Sequence, residues 1–458
     1  MKPPPIDWAS AAGRQADAIR SLELLVAARP QSAVAEHNLA AALGDAGDAA
    51  GACDAAMRAM AKGGNAPETW LVLARALVAL SRLTEADAAL TEALHRRPGY
   101  ADALRDRVQL RWMQTGDPKG ALGEIDALLA SSAATPTLAQ LRASIAREIM
   151  DPLEAYRGLE PWLEGPHPHG LDIAASSAAA EFDPQLALDH AEAAVEAAPA
   201  DIEARVVRLG ALLAIGRAAE AAKGLDDHLA ALPDDQYALA LRYVAWRVLG
   251  DPRALSKADY ERLARPFDLT VPTDPDSDWL KRAATGLRKL HPFRAQPLGQ
   301  SIRSGVQAAL DPRYAGDPAI DTIFARLTPS IETYVADMAG RADPMSRRAS
   351  PKGGHEVVGA WSVRLKAGGR HSDHVHPKGW VSSAFYVEMP SPLPDQPRAG
   401  WLRLGGCRLG VGLELAPEYW VEAMPGRVVL FPSWMWHGTE PFQGDGERLT
   451  VAFDVQPG

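Results

Sequence analysis

Apolar residues recur at helical spacing from residue 1 to about residue 255, a region that is also rich in alanine. Such spacing is typical of helices with one buried stripe, so it predicts an all-α region. The pattern also repeats at intervals of 34 residues, as marked by Pro30, Gly64 and Pro98 and again by Pro199 and Pro233. A fixed period of this length indicates stacked helical hairpins.

The apolar period shortens to two from about residue 358, which indicates β-strands. We predict strands over residues 358–365, 381–389, 401–404, 427–431 and 449–455, and helices before them at about 279–290 and 320–339. Several strands without intervening helices favour an antiparallel sandwich or barrel over a doubly wound sheet. Residues 266–278 are rich in proline and aspartate and are interpreted as a connector.

Composition narrows the classes of function. A chain of 458 residues is too long for one ordinary core. Lys+Arg 48 against Asp+Glu 58 gives a net charge of -10, which disfavours nucleic acid and anionic membranes as partners. Cys53 and Cys407 are too far apart in sequence to suggest a disulfide framework. The N-terminus lacks the apolar core of a signal peptide, so we expect a cytoplasmic protein.

The densest candidate chemistry lies in residues 370–377. Three of the chain's 12 histidines and one carboxylate occur there within six positions: His371, Asp373, His374 and His376. Imidazole and carboxylate together suit a divalent first-row metal. Side chains two apart on a strand share a face, so a regular strand presents either His371 with Asp373 or His374 with His376, but not both pairs. His437, after the predicted strand 427–431, is the natural third ligand.

Residues 70–98 resemble one tetratricopeptide repeat. The matching positions are Trp70, Leu73, Ala74, Leu77, Ala86, Leu90, Ala93 and Pro98. Between residues 130 and 180 the period is interrupted, which predicts degenerate or differently packed helices there; the interrupting residues are Pro152, Pro161, Pro166 and Pro168. An alanine-rich bundle with coincidental spacing is the alternative. Because such repeats commonly grip peptides, the resemblance implies a concave face that holds a peptide or protein.

Residues 290–458 resemble the 2-oxoglutarate- and iron(II)-dependent oxygenases that are often found behind tetratricopeptide repeats. The matching stretches are residues 300–303, 368–369, 374–380, 382–387, 426–437 and 447–453. The resemblance implies a double-stranded β-helix (jelly-roll) barrel that uses Fe(II), 2-oxoglutarate and dioxygen. We therefore expect a multidomain α + β protein with a tetratricopeptide-like solenoid (1–255), a linker and helical lead-in (256–289) and an oxygenase-like domain (290–458).

The same resemblance implies roles for single residues. In these oxygenases an arginine about ten residues after the distal histidine binds the far carboxylate of 2-oxoglutarate, and Arg448 stands eleven after His437. A guanidinium fork suits a carboxylate. Thr450 and Tyr386 are further candidate contacts to 2-oxoglutarate. A surface ion pair between Arg448 and Glu447 is the plain alternative.

The expected iron ligands differ from the usual set of His-x-Asp/Glu with a distal His, because the aligned pair here is His-x-His. The favoured set is His374, His376 and His437. A second possibility is His374 and His437 with water, and a third begins with His371 and Asp373.

Together these features predict an Fe(II)- and 2-oxoglutarate-dependent dioxygenase, a hydroxylase, with His374, His376, His437 and Arg448 as its catalytic set. We expect a protein or peptide substrate presented by the repeats, with a small molecule as the second choice and no nucleic acid or membrane partner. Two rival hypotheses are a non-catalytic repeat scaffold whose degenerate barrel binds or senses a ligand, and a three-histidine cupin-like metal enzyme that does not use 2-oxoglutarate.

Overall fold

The helical period of the N-terminal part corresponds to a long run of α-helices. The computed structural model describes residues 9–270, 276–339, 341, 343, 345–349, 354–391 and 395–457. Within these residues, the helices before the first strand are α1 (Ala9–Ala28), α2 (Ala33–Asp45), α3 (Ala49–Ala61), α4 (Pro67–Ala79), α5 (Leu83–Arg96), α6 (Ala101–Thr115), α7 (Pro118–Leu129), α8 (Pro136–Ile149), α9 (Pro152–Arg157), α10 (His169–Ala179), α11 (Pro184–Ala197), α12 (Ile202–Ala214), α13 (Ala218–Ala231), α14 (Gln236–Leu249) and α15 (Lys257–Leu263). The first residues of the predicted solenoid, 1–8, lie outside the described residues, as do positions 271–275 of the predicted connector.

The hairpin of α4 and α5 shows why small residues dominate this region. Ala74 on α4 and Ala86 and Ala93 on α5 are buried, and these small side chains let the two helices pack closely. Pro67 begins α4, a position where its missing N–H would have no helical partner anyway. Pro98 follows the end of α5 and prevents its continuation. The sequence unit from Trp70 to Pro98 is therefore a helical hairpin, as predicted.

Successive hairpins form a two-layered solenoid. Each even-numbered helix from α2 to α14 contacts the next even-numbered one, and these helices make the inner layer. The odd-numbered helices from α3 to α13 close the hairpins from the other side. The period is broken where the prolines predicted it, because α9 has only 6 residues and α10 packs directly against α8.

The C-terminal part contains both helices and strands. Two helices, α16 (Trp279–Arg288) and α17 (Pro318–Met338), match the predicted positions. The strands are β1 (Arg265–Asp268), β2 (Ile302–Gln307), β3 (His355–His371), β4 (Val381–Glu388), β5 (Leu402–Leu404), β6 (Cys407–Leu409), β7 (Leu413–Leu415), β8 (Tyr419–Val421), β9 (Arg427–Pro432), β10 (His437–Thr439) and β11 (Arg448–Pro457). All five predicted strands are present, within one or two residues or as part of a longer strand.

The strands form antiparallel sheets, as the period of two predicted. The larger sheet has the order β1-β9-β4-β11-β3-β2, a second has the order β10-β5-β8, and β6 pairs with β7. This arrangement is consistent with the jelly-roll fold of the oxygenases. The strand β1 lies in the predicted connector and pairs with β9 at the edge of the larger sheet. It escaped prediction because four residues that include a proline show too little alternation.

The inner helical layer packs against the C-terminal part of the chain. The Trp112 indole on α6 donates a hydrogen bond to the Gln296 carbonyl (2.8 Å), and Arg247 on α14 donates to the carbonyls of Gly405 and Ala416. The Tyr243 ring on α14 stacks on Trp434 at 4.3 Å between ring centroids. A peptide partner would therefore share this face with the chain's own sheets. Among the described helices, none has the length and apolar character needed to cross a membrane.

Replacing Tyr243 by alanine should destabilise the whole molecule. The change removes the stacked ring between α14 and Trp434, and we expect a loss of about 3 kcal/mol in the free energy of unfolding, typical of a large ring truncated in a packed interface. Urea denaturation followed by circular dichroism measures the loss. Tyr243→Phe keeps the stack and serves as control. Separate, independently shifted transitions for helices and sheets would show that the two parts are not coupled through this contact.

Candidate functional site

Backbone hydrogen bonds bring the histidines of two distant segments together. The strand β3 ends at His371, and the chain then crosses to β10. The His374 amide donates to the His437 carbonyl (2.9 Å) and the His437 amide donates to the His374 carbonyl (3.0 Å). The His376 amide donates to the Ser433 carbonyl (2.9 Å) just before β10. Three imidazoles therefore converge on one point between the two sheets.

The three imidazoles have the geometry of a metal site. One ring nitrogen from each of His374, His376 and His437 lies within 4.8 Å of the other two. The Nδ1 atom of His374 is 2.8 Å from the Ser372 carbonyl, and that of His437 is 2.9 Å from the Met435 carbonyl. Because a carbonyl only accepts hydrogen bonds, these contacts assign the proton to Nδ1 and leave Nε2 unprotonated, as metal binding requires. The Ser301 hydroxyl lies 3.2 Å from the His374 Nε2 atom. The donor set thus fits a divalent first-row metal such as iron.

Burial keeps the imidazoles of His374 and His437 neutral. It lowers the pKa of His374 to about 3, with a further lowering by His376, and it lowers the pKa of His437 well below the usual range. A histidine binds metal in its neutral form. Both residues are therefore in the metal-binding protonation state at neutral pH.

The prediction that only one pair of residues faces the site is wrong. It assumed a regular strand, whereas the chain leaves β3 at His371, so His371, His374 and His376 all line the same pocket. The His371 Nδ1 atom lies 2.9 Å from the Ser301 hydroxyl. Asp373 instead forms two hydrogen bonds of 2.9 and 2.8 Å with the Arg403 guanidinium and is not part of the three-histidine group. The ligand set that begins with His371 and Asp373 is not assembled in this geometry.

A carboxylate that sequence reasoning missed stands behind His376. The Asp454 oxygens lie 2.7 and 2.8 Å from the His376 Nδ1 atom, and the Ser382 hydroxyl donates to Asp454 at 2.7 Å. A carboxylate in this position fixes the orientation of a metal-binding imidazole and makes it a stronger ligand. The alternation of side chains along β11 could have identified this carboxylate, because Asp454 lies on the same strand face as Arg448 and Thr450.

Arg448 is buried in the same pocket without an acidic partner. Its side chain is 2% exposed, its Nε atom donates to the Gly400 carbonyl (3.1 Å), and its Nη1 atom lies 3.5 Å from the Thr450 hydroxyl. Burial lowers the pKa of Arg448. No carboxylate pairs with it in the described part of the chain. The alternative of a surface ion pair between Arg448 and Glu447 is not found, since the Glu447 carboxylate pairs with Arg288 and Arg364.

Tyr386 lies beside this guanidinium. Its ring centroid is 5.1 Å from the Arg448 guanidinium carbon, and its hydroxyl is buried without a hydrogen-bond partner among the described residues. Burial raises the pKa of Tyr386, so its hydroxyl stays protonated. Arg448, Thr450 and Tyr386 therefore form one cluster of donors beside the histidines.

Comparison with known proteins agrees with this geometry. Residues 359–454 match the family model described as "Putative 2OG-Fe(II) oxygenase". The C-terminal part carries a 2OG-Fe(II) oxygenase domain. The matched range contains all three converging histidines, Arg448 and Asp454. No curated protein matches the sequence.

Solved structures similar to the chain fall into two groups. A prolyl-4-hydroxylase from Pseudomonas putida is 18% identical, with 43% of this chain and 95% of that chain covered and a TM-score of 0.28. A prolyl hydroxylase from Trichoplax adhaerens, in complex with a hypoxia inducible factor peptide fragment, is 14% identical, with 43% and 84% covered and a TM-score of 0.30. A tetratricopeptide repeat protein from Parabacteroides merdae is 15% identical, with 51% and 88% covered and a TM-score of 0.35.

Asp454→Asn should weaken metal binding by about 10- to 100-fold, because the amide cannot hold the His376 imidazole as a carboxylate does. Calorimetric titration with Fe(II) without oxygen, or with Co(II), measures the affinity. Asp373→Asn removes the same charge from a residue that pairs with Arg403, and we expect no comparable effect. A larger loss from Asp373→Asn than from Asp454→Asn would instead point to the ligand set that includes Asp373.

Proposed function

We propose that this protein is an Fe(II)- and 2-oxoglutarate-dependent dioxygenase that hydroxylates a peptide or protein. The observation that carries the proposal is the buried, unpaired Arg448 beside the three histidines. A guanidinium without a counter-charge in an apolar site is costly, so its presence favours an anionic ligand. A dicarboxylate that reaches both Arg448 and a metal at the histidines meets this requirement.

His374, His376 and His437 would hold the metal through Nε2, each oriented from behind by the hydrogen bond at its Nδ1 atom. When bound, iron with 2-oxoglutarate and dioxygen supplies the oxidation, in which a C–H bond becomes C–OH while 2-oxoglutarate becomes succinate and carbon dioxide. The protein's contribution is the placement of these groups in a fixed order.

Arg448 would bind the distal carboxylate of 2-oxoglutarate with the two ends of its guanidinium fork. The Thr450 hydroxyl lies 3.5 Å from Nη1 and the Tyr386 hydroxyl is a buried donor, so both are available to the same carboxylate. The Arg448 guanidinium is held in position by burial and by its hydrogen bond to the Gly400 carbonyl. Such preorganisation reduces the entropy lost on binding.

Apolar side chains form part of the pocket wall, beside polar ones such as Gln300 and Gln307. Leu402, Val363 and Phe431 belong to its walls, and the Phe431 ring meets His437 edge to face at 4.6 Å between ring centroids. Walls of this kind exclude water and strengthen the electrostatic contacts inside. They favour oxidation of a bound substrate over side reactions with solvent.

A peptide substrate is supported by the helical repeats, which in other proteins commonly grip peptides. In this chain the inner layer packs against the sheets, so a peptide would bind where helices and sheets meet and not on an isolated solenoid. A small molecule is the second choice of substrate.

One observation favours a second candidate function. The converging group contains three histidines and no carboxylate, which also suits a cupin-like metal enzyme that does not use 2-oxoglutarate. The two candidates differ in one property, namely whether 2-oxoglutarate binds next to the metal.

Arg448→Ala should raise the dissociation constant for 2-oxoglutarate by about 100-fold, as expected when one partner of a buried charge pair is removed. Anaerobic titration of the Fe(II)-loaded protein, followed by the visible charge-transfer band of the chelate, measures this constant. Affinity for Fe(II) should stay unchanged. Glu447→Gln is the control, because Glu447 faces Arg288 and Arg364.

The outcomes separate the candidates. Formation of the band in the wild type, with succinate released once oxygen is admitted, supports the dioxygenase. Tight metal binding without a band or succinate would favour the cupin-like enzyme. Equal loss of metal and 2-oxoglutarate affinity in Arg448→Ala would indicate misfolding and contradict the assigned role.

A further inference from the structure

A groove lies where the first hairpins of the solenoid meet the larger sheet. Its volume is about 760 Å³, within the range of ligand-binding clefts. One wall consists of small residues on α2 and α4, such as Ala41 and Ala76, and the other includes Tyr314 and Val358. Tyr314 and Val358 are 45% and 44% exposed, so this wall offers apolar surface to a partner.

Specific contacts hold the two walls of the groove in place, so it is not a gap left by loose packing. The Tyr314 ring lies directly on the α2–α3 turn, where Gly47 has a positive φ of 85° and leaves no room for a side chain. Arg313 pairs with Asp311 and also donates to the Val357 carbonyl, so this corner is tied to β3. Solenoid and sheet thus form two fixed walls.

A β-bulge connects this groove with the metal pocket. Along β3 and β11, Gly359 pairs with Asp454 but Val357 pairs with Val455, so Val358 is an extra residue on β3. A bulge of this kind shifts the alternation of side chains by one. Glu356 and Val358 therefore point to the same face as Trp361, whereas Val357 packs into the core beside Ala360.

Trp361 is the link between the two sites. It lines the metal pocket and meets the His376 ring edge to face at 6.1 Å between ring centroids. Val358 in the groove is three residues away on the same strand, a distance of about 10 Å. On β2 and just beyond it, Gln307 lines the metal pocket and Ala309 lines the groove. The groove and the metal pocket therefore lie next to each other along β3 and β2.

The uncompensated charge of the groove is negative. Its two arginines are already paired, Arg75 with Asp106 and Arg313 with Asp311. Asp45 on α2 and Glu356 on β3 also line the groove, and neither has an ion-pair partner among the described residues. A positively charged side chain of a partner would therefore be favoured next to Asp45 and Glu356.

From this geometry we infer that the groove binds the flank of an extended polypeptide substrate that carries lysine or arginine near the residue to be oxidised. Asp45 and Glu356 recognise the basic side chain, while Tyr314 and Val358 contact the apolar part of the segment. The inference rests on the proposed function, because it supplies the substrate that the metal pocket would oxidise. Binding itself needs neither metal nor 2-oxoglutarate.

The test uses the full chain and two fluorescein-labelled peptides of glycine, alanine and serine, one with interspersed lysines and the other with glutamates at the same positions. Fluorescence polarisation should show binding of the lysine peptide only. Asp45→Lys combined with Glu356→Lys should weaken that binding about tenfold or more, because like charges then face each other. The control is Asp54→Lys, which changes the charge of an exposed residue on α3 that does not line the groove.

A second measurement locates the peptide. Cys53 and Cys407 are buried, so an environment-sensitive dye attached to Val358→Cys labels the groove selectively. The lysine peptide should change its emission, whereas the same dye at Met424→Cys, an equally exposed position, should not respond. Equal binding of both peptides, an equal effect of Asp54→Lys, or a response only at Met424→Cys would overturn the inference. Absence of succinate formation with intact peptide binding would instead contradict the proposed function alone.

Discussion

The pair of backbone hydrogen bonds between His374 and His437 is the contact on which the candidate site depends. It joins the segment after β3 to β10, two parts of the chain that are far apart in sequence. The exchange fixes both imidazoles at a centroid distance of 4.1 Å, and His376 follows two residues later. Because backbone groups make the bridge, it holds the side chains in place without using their metal-binding atoms.

The same region also depends on the helices. Trp434 and Trp436 lie between β9 and His437, and α14 covers both of them through Tyr243 and Tyr237. The solenoid is thus a wall of the C-terminal part and not a separate module on a linker. This union explains why the groove beside Val358 can exist, since one of its walls is helical and the other belongs to a sheet.

Local periodicity is enough to predict the helical hairpins and the longer strands, whereas the choice of His374, His376 and His437 rests on the resemblance to the oxygenases. Local periodicity fails where contacts between distant segments determine the structure. The strand β1 is short and contains Pro266, so only its pairing with β9 identifies it. The alternation of a regular strand does not apply after His371, because β3 ends there and His374 pairs with His437 on β10. No local pattern identifies Arg403 as the partner of Asp373, because the two residues are 30 positions apart.

The position of Asp454 suggests how a site without a carboxylate ligand can keep its charge balance. In the usual set one carboxylate binds the metal directly. In the proposed set His376 would take that place, and the Asp454 oxygens lie 2.7 and 2.8 Å from the Nδ1 atom of the same ring. Compared with the usual set, the negative charge would therefore still be present, but it would lie one imidazole farther from the metal. Since the Ser382 hydroxyl also donates to Asp454, this carboxylate is held in place by the neighbouring strand β4.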